Sequence, residues 1–152
     1  MRPFIYGLLL ASLGVWTGCG GEAGLEGTTA VSGVVTYKGQ PVEGANLNFS
    51  PVDGQGRAAS ALTDAVGRFQ LTTLKSGDGA LPGSYQVTIS KTEVQNAMTP
   101  EEAQAYFEKH QRSPQVKQKE LLPAKYKRPN TSGLTAEVTE GGENNFTFDL
   151  ND

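Results

Sequence analysis

Ser32-Gly33-Val34-Val35-Thr36-Tyr37-Lys38-Gly39-Gln40-Pro41-Val42-Glu43-Gly44-Ala45 is the stretch that decides the fold. From Val31 onward, Val31, Gly33, Val35 and Tyr37 alternate with Ser32, Val34, Thr36 and Lys38. A period of two marks a strand with one apolar face. Lys38-Gly39-Gln40-Pro41 then ends the run with residues suited to a tight turn. The pattern recurs outward. Ala45, Leu47 and Phe49 alternate with Asn46, Asn48 and Ser50; weaker alternation runs from Arg57 to Thr63; Phe69, Leu71 and Thr73 share a face. Tyr85, Val87 and Ile89 alternate with Gln86, Thr88 and Ser90, and two further runs carry Leu134, Ala136 and Val138, then Phe146, Phe148 and Leu150. Seven strands are expected. Asp53-Gly54-Gln55-Gly56, Asp64-Ala65-Val66-Gly67, Gly77-Asp78-Gly79 and Glu140-Gly141-Gly142 separate them as turns. No helical pattern interrupts the first five, which implies antiparallel pairing, and one apolar face per strand requires a second sheet to cover it. The fold class is therefore all-β, a seven-stranded antiparallel β-sandwich. The absence of a Cys…Trp…Cys constellation excludes an antibody-type domain.

One helix is expected, between the fifth strand and the sixth. Thr99 is its N-cap, Pro100 occupies the first helical position, and Glu102 completes a capping box. Ala103, Tyr106, Phe107 and His110 then share one face, which predicts a short helix packing its Tyr106/Phe107 stripe on the sandwich or over an open end, with a mobile partner-binding helix as the alternative. Pro114 ends it.

Composition limits the function. The chain has 152 residues, 13 Lys+Arg against 16 Asp+Glu, and one each of Cys, His and Trp. That length suits one domain. A net charge of −3 is not the strong basic excess of a nucleic-acid binder. One cysteine makes no internal disulfide, and one histidine builds no His-based metal site. His110 is the sole candidate general base, with no catalytic triad or Cys–His pair to join, so the chain reads as non-enzymatic, without cofactor or metal. Asp64 is read as a turn residue that accepts from backbone N–H groups; one carboxylate falls far short of a calcium shell.

The first residues form an address. Met1-Arg2 supplies a positive start, Phe4 to Trp16 is mostly apolar, and Thr17-Gly18-Cys19 follows. This is the layout of a secretory signal peptide over residues 1–18, and the apolar run is too short to span a bilayer. Thr17, Gly18 and Cys19 resemble the bacterial lipobox, with Trp16 standing where a branched aliphatic residue is usual. The resemblance implies a diacylglyceryl thioether on Cys19, the only cysteine, and a membrane-anchored location in the bacterial cell envelope. Residues 19–29 then form a lipidated, flexible tether, and residues 30–152 the folded domain.

The opening stretch, together with Thr63-Asp64-Ala65-Val66-Gly67-Arg68-Phe69 and Leu81-Pro82-Gly83-Ser84-Tyr85-Gln86-Val87, resembles carboxypeptidase regulatory-like domains. The resemblance covers Val31 to about Lys91 and implies a transthyretin-like sandwich of the kind found in many small bacterial secreted lipoproteins. Leu121-Leu122-Pro123-Ala124-Lys125-Tyr126 and Thr131-Ser132-Gly133-Leu134 are similar to those lipoproteins too. The zinc peptidase relatives use two histidines and a glutamate, and the urate-pathway hydrolases several histidines, neither of which this chain can supply.

The remaining feature is charge. From Lys109 to Arg128, seven basic residues stand against Glu120 alone, within an insertion spanning about 98–130. Lys117, Lys119, Lys125, Lys127 and Arg128 are the candidate patch for an anionic ligand on an otherwise solvated loop. The expected function is a non-catalytic structural or binding module of the envelope, with an unidentified envelope polymer or protein as partner; the alternative is carbohydrate or anionic-ligand recognition. With the only Trp in the leader, Tyr37, Tyr106 and Tyr126 are the aromatic faces for a sugar. A Lys–Asn isopeptide, as in collagen-adhesin B-type domains, would have to join Lys38 to Asn144 or Asn145.

Overall fold

The structure, a computed structural model, describes residues 25–54 and 56–152; the leader and Cys19 lie outside them. The strands are β1 (Ser32–Tyr37), β2 (Gln40–Pro41), β3 (Asn46–Pro51), β4 (Ala59–Leu62), β5 (Arg68–Gln70), β6 (Gly83–Ser90), β7 (Thr92–Gln95), β8 (Lys117–Glu120), β9 (Leu134–Val138) and β10 (Asn145–Leu150). The chain is all-β with few helices. Ten strands replace the expected seven. Those seven correspond to β1, β3, β4, β5, β6, β9 and β10; β2 is the short return of the first turn, and β7 and β8 are polar. Strands exposed on both faces have no apolar side to show, which is why their sequences TEVQ and KQKE carry no alternation.

One sheet has the order β10-β1-β2 with β5 also on β1, the second has the order β4-β3-β6-β9, and β7 pairs with β8 as a separate ribbon. Pairing is antiparallel except between the first long strand and the last: β1 and β10 run parallel, from Ser32↔Asn145 to Tyr37↔Leu150. A parallel pair needs a long crossover, and here the rest of the domain supplies it. That register also separates the isopeptide candidates. Asn145 lies at the start of the ladder and Lys38 just beyond its end, roughly 20 Å apart at strand rise. Asn144 instead closes the β9–β10 turn, accepting from Thr139 N at 2.9 Å and donating to Thr139 O at 2.9 Å.

The two sheets share one core. Phe49 of β3 is fully buried and meets Phe69, Phe146 and Phe148 of the other sheet at centroid distances of 6.2, 6.2 and 6.1 Å. Val35, Leu47, Leu71, Val87, Ile89 and Leu150 are among the other residues of this interior. Thr63, buried among them, donates to Val42 O at 2.5 Å and accepts from Ala45 N at 2.7 Å, so its hydroxyl is satisfied.

Two aspartates hold the turns. Asp64 accepts from Val66 N at 3.0 Å and Arg68 N at 2.8 Å, as its turn sequence implies. Asp78 accepts from Thr73 N at 2.7 Å, Leu74 N at 3.0 Å and Lys75 N at 3.0 Å. Partial desolvation pushes the Asp78 carboxyl upward, but the backbone donors of Lys75, Thr73 and Leu74 outweigh it and hold the group below the ordinary carboxylate value. A pKa lower in the folded than in the unfolded chain contributes stability above the unfolded value and loses it as pH falls through the folded one. Asp78→Ala is therefore expected to cost about 1.5 kcal/mol at neutral pH, and the difference from wild type should shrink in urea titrations repeated at successively lower pH. A pH-independent difference would show that the carboxylate's charge is not what holds this turn.

The chain enters and branches at opposite poles. Thr29 pairs with Ala80 beside the start of β1. At the far end of β1, Lys38 N donates to Leu150 O, and Leu121 N donates to Lys91 O at the root of the insertion. Tyr37, Lys91, Leu121 and Leu122 line a common groove there, so the insertion leaves from the pole opposite Thr29.

Candidate functional site

The insertion is an arm, not a loop. β7 rises from β6 through Lys91, the helix α1 (Pro100–His110) crowns it, and β8 returns antiparallel with Thr92↔Glu120 and Gln95↔Lys117. The helix start is as read from sequence: Thr99 accepts from Glu102 N at 3.2 Å and Glu102 accepts from Thr99 N at 2.8 Å. Its expected packing is overturned. No residue of α1 is buried and Phe107 is 49% exposed. The ribbon carries the helix off the pole, beyond reach of the core, so the Tyr106/Phe107 stripe has no sheet to cover. Tyr106 instead lies against His110, with ring centroids 4.3 Å apart and the planes tilted by 32°. Met98, Ala105, Tyr106 and His110 line an open groove of about 530 Å3, with Glu102 and Lys109 at its sides. Val94, Met98 and Val116 of the same arm are also exposed.

The five basic residues of the sequence-derived patch divide between two elements. Lys117 and Lys119 lie on one face of β8, where Lys119 stands opposite Glu93 of β7. Lys125 and Lys127 lie on a 3-10 turn (Ala124–Lys127), with Arg128 next, ahead of the four-residue helix α2 (Pro129–Ser132). Lys127 Nζ pairs with Glu120, which ties the turn to the ribbon and holds the Glu120 carboxyl below its ordinary value, aided by Thr92. Lys125 lies over the Tyr126 ring, 4.9 Å from its centroid. Among the described residues Lys117, Lys119 and Arg128 make no ion pair. The segment that reads as a solvated loop is thus a ribbon and a short helical turn that bring these charges to one pole.

Tyr126 is no sugar platform. It is buried, donates to Asn151 O at 2.9 Å and accepts from Asn151 N at 3.0 Å, anchoring the turn to the C-terminus. Nothing in the sequence links these two residues. Tyr37 is half-buried and donates to Asp152, which also pairs with Lys38. The Lys38 ammonium, then the Tyr37 hydroxyl, hold the Asp152 carboxyl below its ordinary value, while that same hydrogen bond raises the Tyr37 phenol. This cluster closes the pole and was equally hidden in the sequence.

Among the described residues no group of three or more His, Cys, Asp or Glu side chains could hold a metal ion. Among them, too, no helix is long and apolar enough to cross a membrane. Fold and site together define an all-β domain of two packed sheets with an arm at one pole and a group of basic residues divided between β8 and the 3-10 turn. The chain matches no protein-family model, no curated protein and no solved structure.

Proposed function

We propose that this chain is a non-catalytic, lipid-anchored binding module of the bacterial cell envelope. The two-sheet core is the carboxypeptidase regulatory-like, transthyretin-like sandwich, to which β2, β7 and β8 are additions. Cys19 carries the lipid, residues 19–29 are the tether, and the arm is the part presented to partners. One observation supports this reading: Thr29, where the proposed tether ends, pairs with Ala80 at the pole opposite the arm. Anchoring at that end holds the arm away from the bilayer, where Lys117, Lys119 and Arg128 set up a positive field able to steer anionic partners on an otherwise acidic body. Two acyl chains suffice for stable attachment, at about 0.8 kcal/mol per buried CH2.

Fractionation with intact-mass measurement tests the anchor. The native chain is expected in the membrane fraction, lacking residues 1–18 and heavier by a diacylglyceryl group. Cys19→Ser is expected in the soluble fraction without added mass. A native chain that is soluble and unacylated would end the anchored reading.

A further inference from the structure

We infer that the outer face of the β10-β1-β5 sheet is a binding cleft for an acidic polysaccharide, read through Arg68. The proposal rests on the binding-module part of the reading above and is independent of the anchor. The cleft measures about 790 Å3 and lies at the tether pole, away from the arm. Its floor follows from register. Ser32 pairs with Asn145 on one side and Gln70 on the other, so a hydroxyl and two amides form a row across three adjacent strands. Neighbouring strands stand about 4.8 Å apart, so this row spans about 10 Å, the size of a sugar ring and its linkage rather than of a compact ion. One step along, Val34 pairs with Arg68. Phe69, between Arg68 and Gln70, is buried in the core, so alternation turns Arg68 and Gln70 outward.

The chemistry of the lining is that of a glycan acid. Ser32, Gln70 and Asn145 donate to and accept from ring hydroxyls. Leu62, 62% exposed at the cleft wall, and Val34 offer apolar surface to the C–H face of a ring. Arg68 is the one cation in the cleft and makes no ion pair among the described residues. A guanidinium presents two parallel donors that match a carboxylate. Asp64 also lines the cleft, but its Oδ1 is held by the Val66 and Arg68 backbone N–H groups, which leaves Oδ2 to accept a sugar hydroxyl. The opposite wall, around Thr72, Ser76 and Gly77, is held in place by the Asp78 turn and by Gly77 N donating to the Thr72 hydroxyl at 3.0 Å.

Titration calorimetry of the full chain with a short oligogalacturonate, and with its methyl ester, tests this. The acid is expected to bind at least tenfold more tightly than the ester. Arg68→Gln should erase that difference, and Gln70→Ala with Asn145→Ala should weaken both ligands. Arg68 donates to the fold only through its backbone, so circular dichroism should be unchanged in that variant. Lys125→Gln with Lys127→Gln, at the far pole, should leave binding intact. Equal affinity for acid and ester overturns the carboxylate assignment. Binding insensitive to Arg68→Gln but lost with the lysine variant moves the site to the arm, ending the cleft while the binding-module reading stands. No binding of either ligand ends the cleft outright.

Discussion

Phe49→Ala is expected to destabilise the domain by about 4 kcal/mol, the range seen when a buried aromatic is truncated and its cavity persists. The size follows from position. Phe49 is fully buried, and its ring meets Tyr85 on its own sheet at 6.0 Å and three aromatics of the opposite sheet. Those partners sit on separate strands, β5, β6 and β10, so no single side-chain shift can fill the void. A domain of this size is stable by about 5–15 kcal/mol, so the variant should unfold at far lower urea with an unchanged m-value. The arm supplies the control. Phe107, equally aromatic but half exposed on α1, touches no buried cluster, and Phe107→Ala should change stability by less than about 0.5 kcal/mol. If Phe49→Ala costs under about 2 kcal/mol, the sheets are not held by one shared aromatic core.

That contrast marks what could be read from sequence. Phe49, Phe69, Tyr85 and Phe148 all fall on apolar faces of period-two runs, because burial on one side of a strand imprints alternation. Seven of the ten strands were legible for this reason. β7 and β8 were not, since a ribbon wet on both faces has no apolar period, and Thr92 to Gln95 is exposed throughout. The limits of α1 were legible from its capping box, a local device. Its environment was not. An i, i+4 stripe of Tyr106 and His110 shows that a helix has a face, not whether a sheet lies beneath it. The basic residues are a cluster in sequence, but their division between β8 and the 3-10 turn depends on Lys127 reaching Glu120 and Tyr126 reaching Asn151, pairings that leave no local trace. The Arg68 cleft was invisible for a related reason: its row joins Ser32, Gln70 and Asn145, with Gln70 aligned by the antiparallel β1–β5 pairing and Asn145 by the parallel ladder to β10, far along the chain.

Gly33→Ala is the second large effect, expected to cost about 3 kcal/mol or more. Gly33 lies inside β1 with ordinary extended backbone, so the cost is not conformational. A Cβ there would fall 2.0 Å from the Phe146 carbonyl oxygen and 2.7 Å from the Phe69 ring. The ring cannot retreat because Phe69 is buried against Phe49 and Phe148. The carbonyl cannot retreat without opening the parallel ladder in which Gly33 faces Phe146. Gly39 separates sterics from backbone strain: it has φ +77°, but a Cβ at that position meets nothing within 4 Å. Gly39→Ala should therefore cost only the left-handed penalty, about 1–2 kcal/mol. Urea midpoints of the two variants decide the matter. A Gly33→Ala loss no larger than that of Gly39→Ala would mean that β1 and β10 do not approach as closely as the parallel register requires. A clearly larger loss, accompanied by faster amide exchange along β10, would locate the weakness in the seam where the first long strand meets the last.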